Sequence, residues 1–128
     1  MTNSLYVFWF IVQYVLEHYS SYFLGFFYMK VIESTNESFL EDIAQGKVVV
    51  DVYSTSCYPC KMFASTFENV SERVEDANFV KLNADDAYEH AVNLGISSVP
   101  TIIIFEDGKE IKRTTGVMAS DAFIDWIG

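Results

Sequence analysis

Positive charge is scarce in this chain: 8 Lys and Arg stand against 18 Asp and Glu, a formal net charge of −10 over 128 residues. A surface of that sign repels nucleic acid and anionic lipid and offers no phosphate-tracking face, so no nucleic-acid partner is expected. Cysteine is scarcer still. The two present, Cys57 and Cys60, exclude the multi-bridge framework of a small secreted scaffold and leave a local redox or metal pair. The histidines, His18 and His90, have no ligand-spaced partner. A zinc site on the cysteines would lack two of its four ligands, so no metal is expected. Low-complexity linkers and internal repeats are also missing, and the length suits one domain around one core.

The charge that exists is unevenly spread. Residues 1–28 contain no Lys or Arg, and Glu17 is their only acid. They form a hydrophobic, aromatic-rich segment in which Leu5 to Leu16 is separated from Tyr22 to Tyr28 by the polar break Glu17-His18-Tyr19-Ser20-Ser21. Residues 5–28 are long enough to cross a bilayer core of about 30 Å. Glu17 and His18 would then fall near its centre, where an acid costs roughly 2.5–3.5 kcal/mol. A secretory signal would carry a basic start and a small-residue cleavage site, and neither is there. The readings left open are a membrane anchor, a cleaved signal or packed accessory helix, and a non-native or dispensable extension ahead of a start at Met29. Lys30 directly after the apolar run would place the domain on the cytoplasmic side of any anchor. Without an anchor, the cytoplasm is the expected compartment.

From Met29 to Gly128 the hydrophobic period alternates between two and 3.6. Lys30 to Glu33 predicts a short strand. Phe39, Leu40, Ile43 and Ala44 recur at helical spacing, with cap candidates in Ser34 to Asn36 and a stop at Gly46. Lys47 to Tyr53, rich in valine and nearly continuous in hydrophobicity, predicts a central strand covered on both faces. Phe63, Phe67, Val70 and Val74 mark a long amphipathic helix running from Cys60 to near Asp76. Phe79 to Asn83 follows as a strand, then a helix capped by Asp85 or Asp86, carrying Ala87, Ala91 and Leu94 and closed by Gly95. Thr101 to Phe105 and Glu110 to Thr115 flank the hairpin signal Asp107-Gly108. Ser120 is a cap candidate for a last helix bearing Phe123, Ile124 and Ile127. The order is βαβαβαββα, an α/β fold with a mixed, mainly parallel sheet, an antiparallel C-terminal hairpin and helices on both faces.

Cys57 follows the end of the central strand and opens a helix, where unpaired backbone N–H groups and the helix dipole favour a thiolate. Spacing of three puts both cysteines on one helical face with Cβ atoms about 5–6 Å apart, within easy closure of a bridge. Pro59 falls in the first turn, where a missing N–H is tolerated, and stiffens the loop between the sulfurs. A merely structural disulfide in so small a loop would add little stability, which favours redox chemistry.

The stretch Val50-Asp-Val-Tyr-Ser-Thr-Ser-Cys57-Tyr-Pro-Cys60-Lys-Met resembles the active-site strand and helix start of thioredoxins. Four further signatures of the family appear in order: Asp51 within the valine strand, Lys81-Leu-Asn-Ala-Asp85, Val99-Pro100-Thr101, and Gly116 after the hairpin. The resemblance covers residues 29–128 and implies a thioredoxin fold and a protein-disulfide reductase. It also implies a role for each residue. Cys57 would attack and Cys60 resolve, in a Cys57–Cys60 redox disulfide; Asp51 would accept the proton of Cys60, and Lys81 would tune Asp51. Pro100 would be cis beside the dithiol, with the Val99 backbone pairing to an extended substrate segment. Tyr58, Pro59, Gly116, Val117 and Met118 would complete the groove. No cofactor is implied; the partners would be protein disulfides and an electron-donating reductase such as thioredoxin reductase, and the chain would be a monomer.

Three positions depart from the family. Ser56 stands where thioredoxins usually carry Trp and Tyr58 where they usually carry Gly, so the client surface is expected to differ while the chemistry is retained. Ser65 replaces a kink-forming proline, which predicts a straighter helix. The rival functions are a membrane-anchored or exported client-specific oxidoreductase and a non-catalytic binding module. A glutathione-dependent enzyme is disfavoured, because Lys61 is the lone basic residue near Cys57.

Overall fold

The computed structural model describes residues 5–14 and 31–128. Residues 5–14 form helix α1, with every residue exposed. No helix among the described residues is long and apolar enough to cross a membrane. The remaining elements are β1 (Val31–Glu33), α2 (Phe39–Asp42), β2 (Lys47–Tyr53), α3 (Tyr58–Arg73), β3 (Asn78–Asn83), α4 (Tyr88–Asn93), β4 (Thr101–Glu106), β5 (Lys109–Thr115) and α5 (Ser120–Ile127). The expected order therefore holds from β1 onward. Lys30 and Met29, the expected start of strand and domain, lie outside the described residues, as do Glu17 and His18.

The five strands are ordered β1-β3-β2-β4-β5, with β2 in the middle. Its residues alternate between two cores, as the period of a strand requires. Val48, Val50 and Val52 pack with Phe39, Ile43, Leu82, Ile103 and Phe105 against α2 and α4. Val49 packs with Phe63, Phe67, Phe79, Ile102 and Phe123 against α3 and α5. Both faces of β2 are thus covered, which is why its hydrophobicity does not alternate.

β1 and β2 run parallel to β3, whereas β4 runs antiparallel to β2 and β5 antiparallel to β4. Antiparallel pairing therefore begins one strand earlier than the hairpin alone predicts. β4 starts at the end of the sheet where β3 stops, with Thr101 beside Val52, so the 84–100 connection does not cross back to the other end.

Helix ends differ in detail from expectation. α2 begins at Phe39 because Thr35 and Ser38 bond to each other's backbone N–H groups just ahead of it. Ser120 is the first residue of α5 and does not cap it, and the N-cap Ala119 has no side chain for the task. α3 begins at Tyr58, stops at Arg73 rather than near Asp76, and runs unbroken past Ser65, as expected without a proline. Asp107 and Gly108 both take positive φ, 49° and 84°, the geometry the hairpin signal calls for.

Phe67 sits at the centre of the α3/α5 core, with ring centroids of Phe63, Phe79 and Phe123 at 6.1, 5.3 and 6.0 Å. Phe67→Ala is expected to lower unfolding free energy by about 3–5 kcal/mol, measured by urea denaturation.

Candidate active site

Where the chain leaves β2 it must turn into α3, and Cys57 makes the turn. It is the N-cap residue in extended conformation, and its sulfur accepts the Cys60 N–H at 3.2 Å. A polar atom on an N-cap side chain normally takes one of the orphan N–H groups of the first turn; here that atom is sulfur, and the bond favours its anionic form. Pro59 occupies the first turn, as expected. Cys57 and Cys60 are joined as a disulfide with Cα atoms 5.3 Å apart. Their exposure differs. Cys60 is 3% exposed, whereas Cys57 is half-buried and reaches the surface.

The loop before the dithiol is fastened to the end of β3. Asp85 Oδ2 accepts the Thr55 N–H at 3.0 Å, Asn83 Nδ2 donates to Thr55 Oγ1 at 3.1 Å, and the Ala84 N–H donates to the Tyr53 carbonyl at 2.8 Å. Asp85, expected to cap α4, does this instead; the N-cap of α4 is Ala87, with no side-chain bond. Hydrophobic spacing carries no signal for such a tie, because both partners lie in polar loops that meet only in the fold.

The Val99–Pro100 peptide bond is cis. The Val99 carbonyl oxygen lies 3.7 Å from Cys57 Sγ, so a Cys57 thiol has an acceptor in place. The Gly116 N–H donates to the Pro100 carbonyl at 2.9 Å, bringing residues 116–118 beside this loop. A Cβ at Gly116 would meet nothing within 4 Å; its φ of +89° is what asks for glycine. Val117 is exposed, whereas Met118 is half-buried against the α3/α5 core. Tyr58 is 71% exposed, Pro59 is exposed and Pro100 buried. Ser56, directly before Cys57 in the chain, is exposed. His90 bonds the Asn36 carbonyl at 2.8 Å and lies against Phe39 with the rings tilted at 54°.

Asp51 lies on the α3/α5 face of β2, two residues beyond Val49 and therefore beneath the first turns of α3. It is 0% exposed, and neither carboxylate oxygen has a hydrogen-bond partner. Desolvation by burial pushes its pKa up to about 7 from the ordinary 3.8; the Lys81 charge opposes the shift and Glu33 adds to it. Lys81 stands directly opposite Asp51 in register, yet its ammonium lies 4.5 Å above the centre of the Tyr53 ring. The Tyr53 hydroxyl donates to Glu33, and burial together with that bond raises the phenol's pKa. Glu33 and Tyr53 carry no motif and escape sequence reading; their signal is positional, since residues 51 and 53 share a face. Cys60, Lys61, Tyr53, Lys81 and Asn83 line one pocket of about 390 Å³.

The thioredoxin family profile matches residues 30–128. The chain belongs to the thioredoxin family. It is 41% identical over 88 residues to thioredoxin from Mycoplasma genitalium, covering 67% of this chain and 86% of that one. Thioredoxin from Chlamydia caviae is 38% identical over 96 residues, 75% of this chain and 92% of the relative. Among solved structures, spinach chloroplast thioredoxin f in its short form superposes with a TM-score of 0.70 at 29% identity, covering 77% of this chain and 91% of that one. A mutant thioredoxin from Halobacterium salinarum NRC-1 matches with a TM-score of 0.70 at 26% identity, over 76% and 87% of the two chains. The fold is the thioredoxin fold, and the protein is a thiol-disulfide oxidoreductase that reduces protein disulfides.

The buried acid makes the stability of the protein depend on pH. Folded, Asp51 keeps its proton up to about pH 7; unfolded, it loses it near 3.8. Between those values the folded chain binds one more proton than the unfolded chain. The group's stabilising contribution is therefore fully present below pH 3.8 and is lost as pH rises through about 7. Over about three pH units the linkage amounts to the order of 4 kcal/mol. Asp51→Asn does not titrate, so its stability relative to the parent is expected to rise between pH 4 and 8 by an amount of that order. Urea denaturation across this range measures it, and a difference that stays flat contradicts the raised pKa.

Proposed function

We propose that Cys57 is the attacking nucleophile of this reductase, Cys60 the resolving thiol and Asp51 the proton acceptor for Cys60, with Lys81 tuning Asp51. The observation that carries this reading is the unequal exposure of the two sulfurs: a bulky client disulfide can meet Cys57, while Cys60 is buried at 3% on the Asp51 side of the first turn. The Cys57 thiolate attacks one sulfur of the client disulfide; that S–S bond breaks, the other client sulfur leaves as a thiol after taking a proton, and a mixed disulfide forms. Asp51 then takes the Cys60 proton. The Cys60 thiolate attacks Cys57 Sγ, the second client sulfur leaves, and the products are a client dithiol and the Cys57–Cys60 disulfide. Two electrons from an outside reductase, of which thioredoxin reductase is the candidate, regenerate the dithiol.

The client lies across Tyr58, Pro59, Val99, Pro100, Gly116, Val117 and Met118 in this reading, with an extended segment paired to the Val99 backbone. Exposure of Tyr58 and Val117 supports an apolar client contact. Tyr58 then takes over part of the contact that Ser56 lacks.

Residues 29–128 are the catalytic domain in this reading and residues 1–28 a separable segment, which the family match from residue 30 supports. The working unit is a monomer in the cytoplasm. A chain beginning at Met29 is expected to reduce a model disulfide protein at the full-length rate and to remain in the soluble fraction. Recovery of the full-length chain with membranes, and of the shorter chain without them, would instead assign residues 1–28 an anchoring role.

The order of the thiols is tested by trapping. Cys60→Ser is expected to accumulate a mixed disulfide with an insulin substrate, visible by mass spectrometry, while Cys57→Ser reduces insulin at less than a thousandth of the parent rate. A mixed disulfide that accumulates at Cys60 in the Cys57→Ser variant, with none at Cys57 in Cys60→Ser, would reverse the assignment.

A further inference from the structure

Three charged side chains stand in one row across the sheet. Glu33 of β1 is in register with Lys81 of β3, and Lys81 is in register with Asp51 of β2. Residues in register across neighbouring strands point to the same face, and this face is the one beneath α3, because Val31 and Val49, two residues before Glu33 and Asp51, pack into its core. One ammonium therefore lies between two carboxylates of different surroundings, Glu33 exposed and Asp51 sealed. Lys81 is ion-paired with neither, the described ion pairs being Arg73–Asp121 and Arg113–Glu110. It sits over the Tyr53 ring, and the Tyr53 hydroxyl is bonded to Glu33.

We propose that Glu33 is a positioning residue for the reductase: by holding the Tyr53 hydroxyl and attracting the Lys81 ammonium toward β1, it keeps that cation over the Tyr53 ring and off Asp51. A carboxylate buried without donors is costly to ionise, and the nearest compensating charge is the one Glu33 shares. The other groups on this face do not replace it. Ile102 of β4 is in register with Asp51, Phe63 of α3 and Phe123 of α5 fill the same core, and Cys60 and Lys61 line the pocket that Lys81 also lines. Asp86 acts on Tyr53, adding negative charge on the β3 side.

The inference rests on the role proposed for Asp51, but its test does not. Carboxyl carbon NMR of the full chain, titrated with acid and base, reads Asp51 directly. Glu33→Gln is expected to lower the Asp51 midpoint by about half a pH unit, the size of one charge acting across two strand spacings near a wet edge. Lys81→Gln is expected to raise it. Tyr53→Phe, which keeps both charges but cuts the tether, is expected to lower it by less than Glu33→Gln. The pH profile of mixed-disulfide resolution should move with the midpoint, a displacement that a purely structural Glu33 would not cause. An Asp51 midpoint that is unchanged or raised in Glu33→Gln overturns the inference, whatever Asp51 does in catalysis. If the midpoint shifts while Asp51→Asn resolves the mixed disulfide at the parent rate, the coupling stands and the role assigned to Asp51 falls.

Discussion

Because helices cover both faces of β2, its chain meets solvent only at its two ends, Lys47 and Tyr53, and the dithiol is placed just past the second of these. A strand with a wet face would not have served. Burial on both sides fixes the strand's register between β3 and β4 and hence the direction in which α3 departs. Sealing the strand also imposes the cost carried by Asp51, whose carboxyl has no donor within reach. One desolvated element thus supplies both the rigidity that aims the sulfurs and the apolar surroundings that bring a carboxyl toward neutral titration.

Fastenings beyond the strand complete the site. The Thr55 loop is tied to Asp85 and Asn83 at the end of β3, and the Pro100 loop is tied to Gly116 after the hairpin. Both ties join segments far apart in sequence. Their effect is to hold Cys57 between two loops anchored to different strands, so that its position relative to Val99 does not depend on α3 alone.

Much of this was legible from residues alone. The valine run marks β2, the phenylalanine spacing marks α3, and Asp107-Gly108 marks the hairpin, because each is a local pattern with a local cause. The direction of β4 was not legible, since it depends on the end of the sheet to which the 84–100 connection leads, a tertiary outcome that periodicity does not encode. Capping was misplaced for a similar reason. Ser120 and Asp85 have the right chemistry for helix caps, but competing tertiary geometry decides where a side chain bonds. In the site, Cys57, Cys60, Asp51 and Pro100 come from a motif set, whereas Tyr53 and Glu33 come from cross-strand register, which no single segment encodes.

β1 is the shortest strand among the described residues, three residues paired on one side only, and residues 1–30 precede it in the chain. Mechanical load borne by that leading segment is delivered to this strand before any other. Edge strands with few ladder bonds open at low free energy, so a pull on the leader would peel Glu33 from the row while leaving the dithiol helix seated.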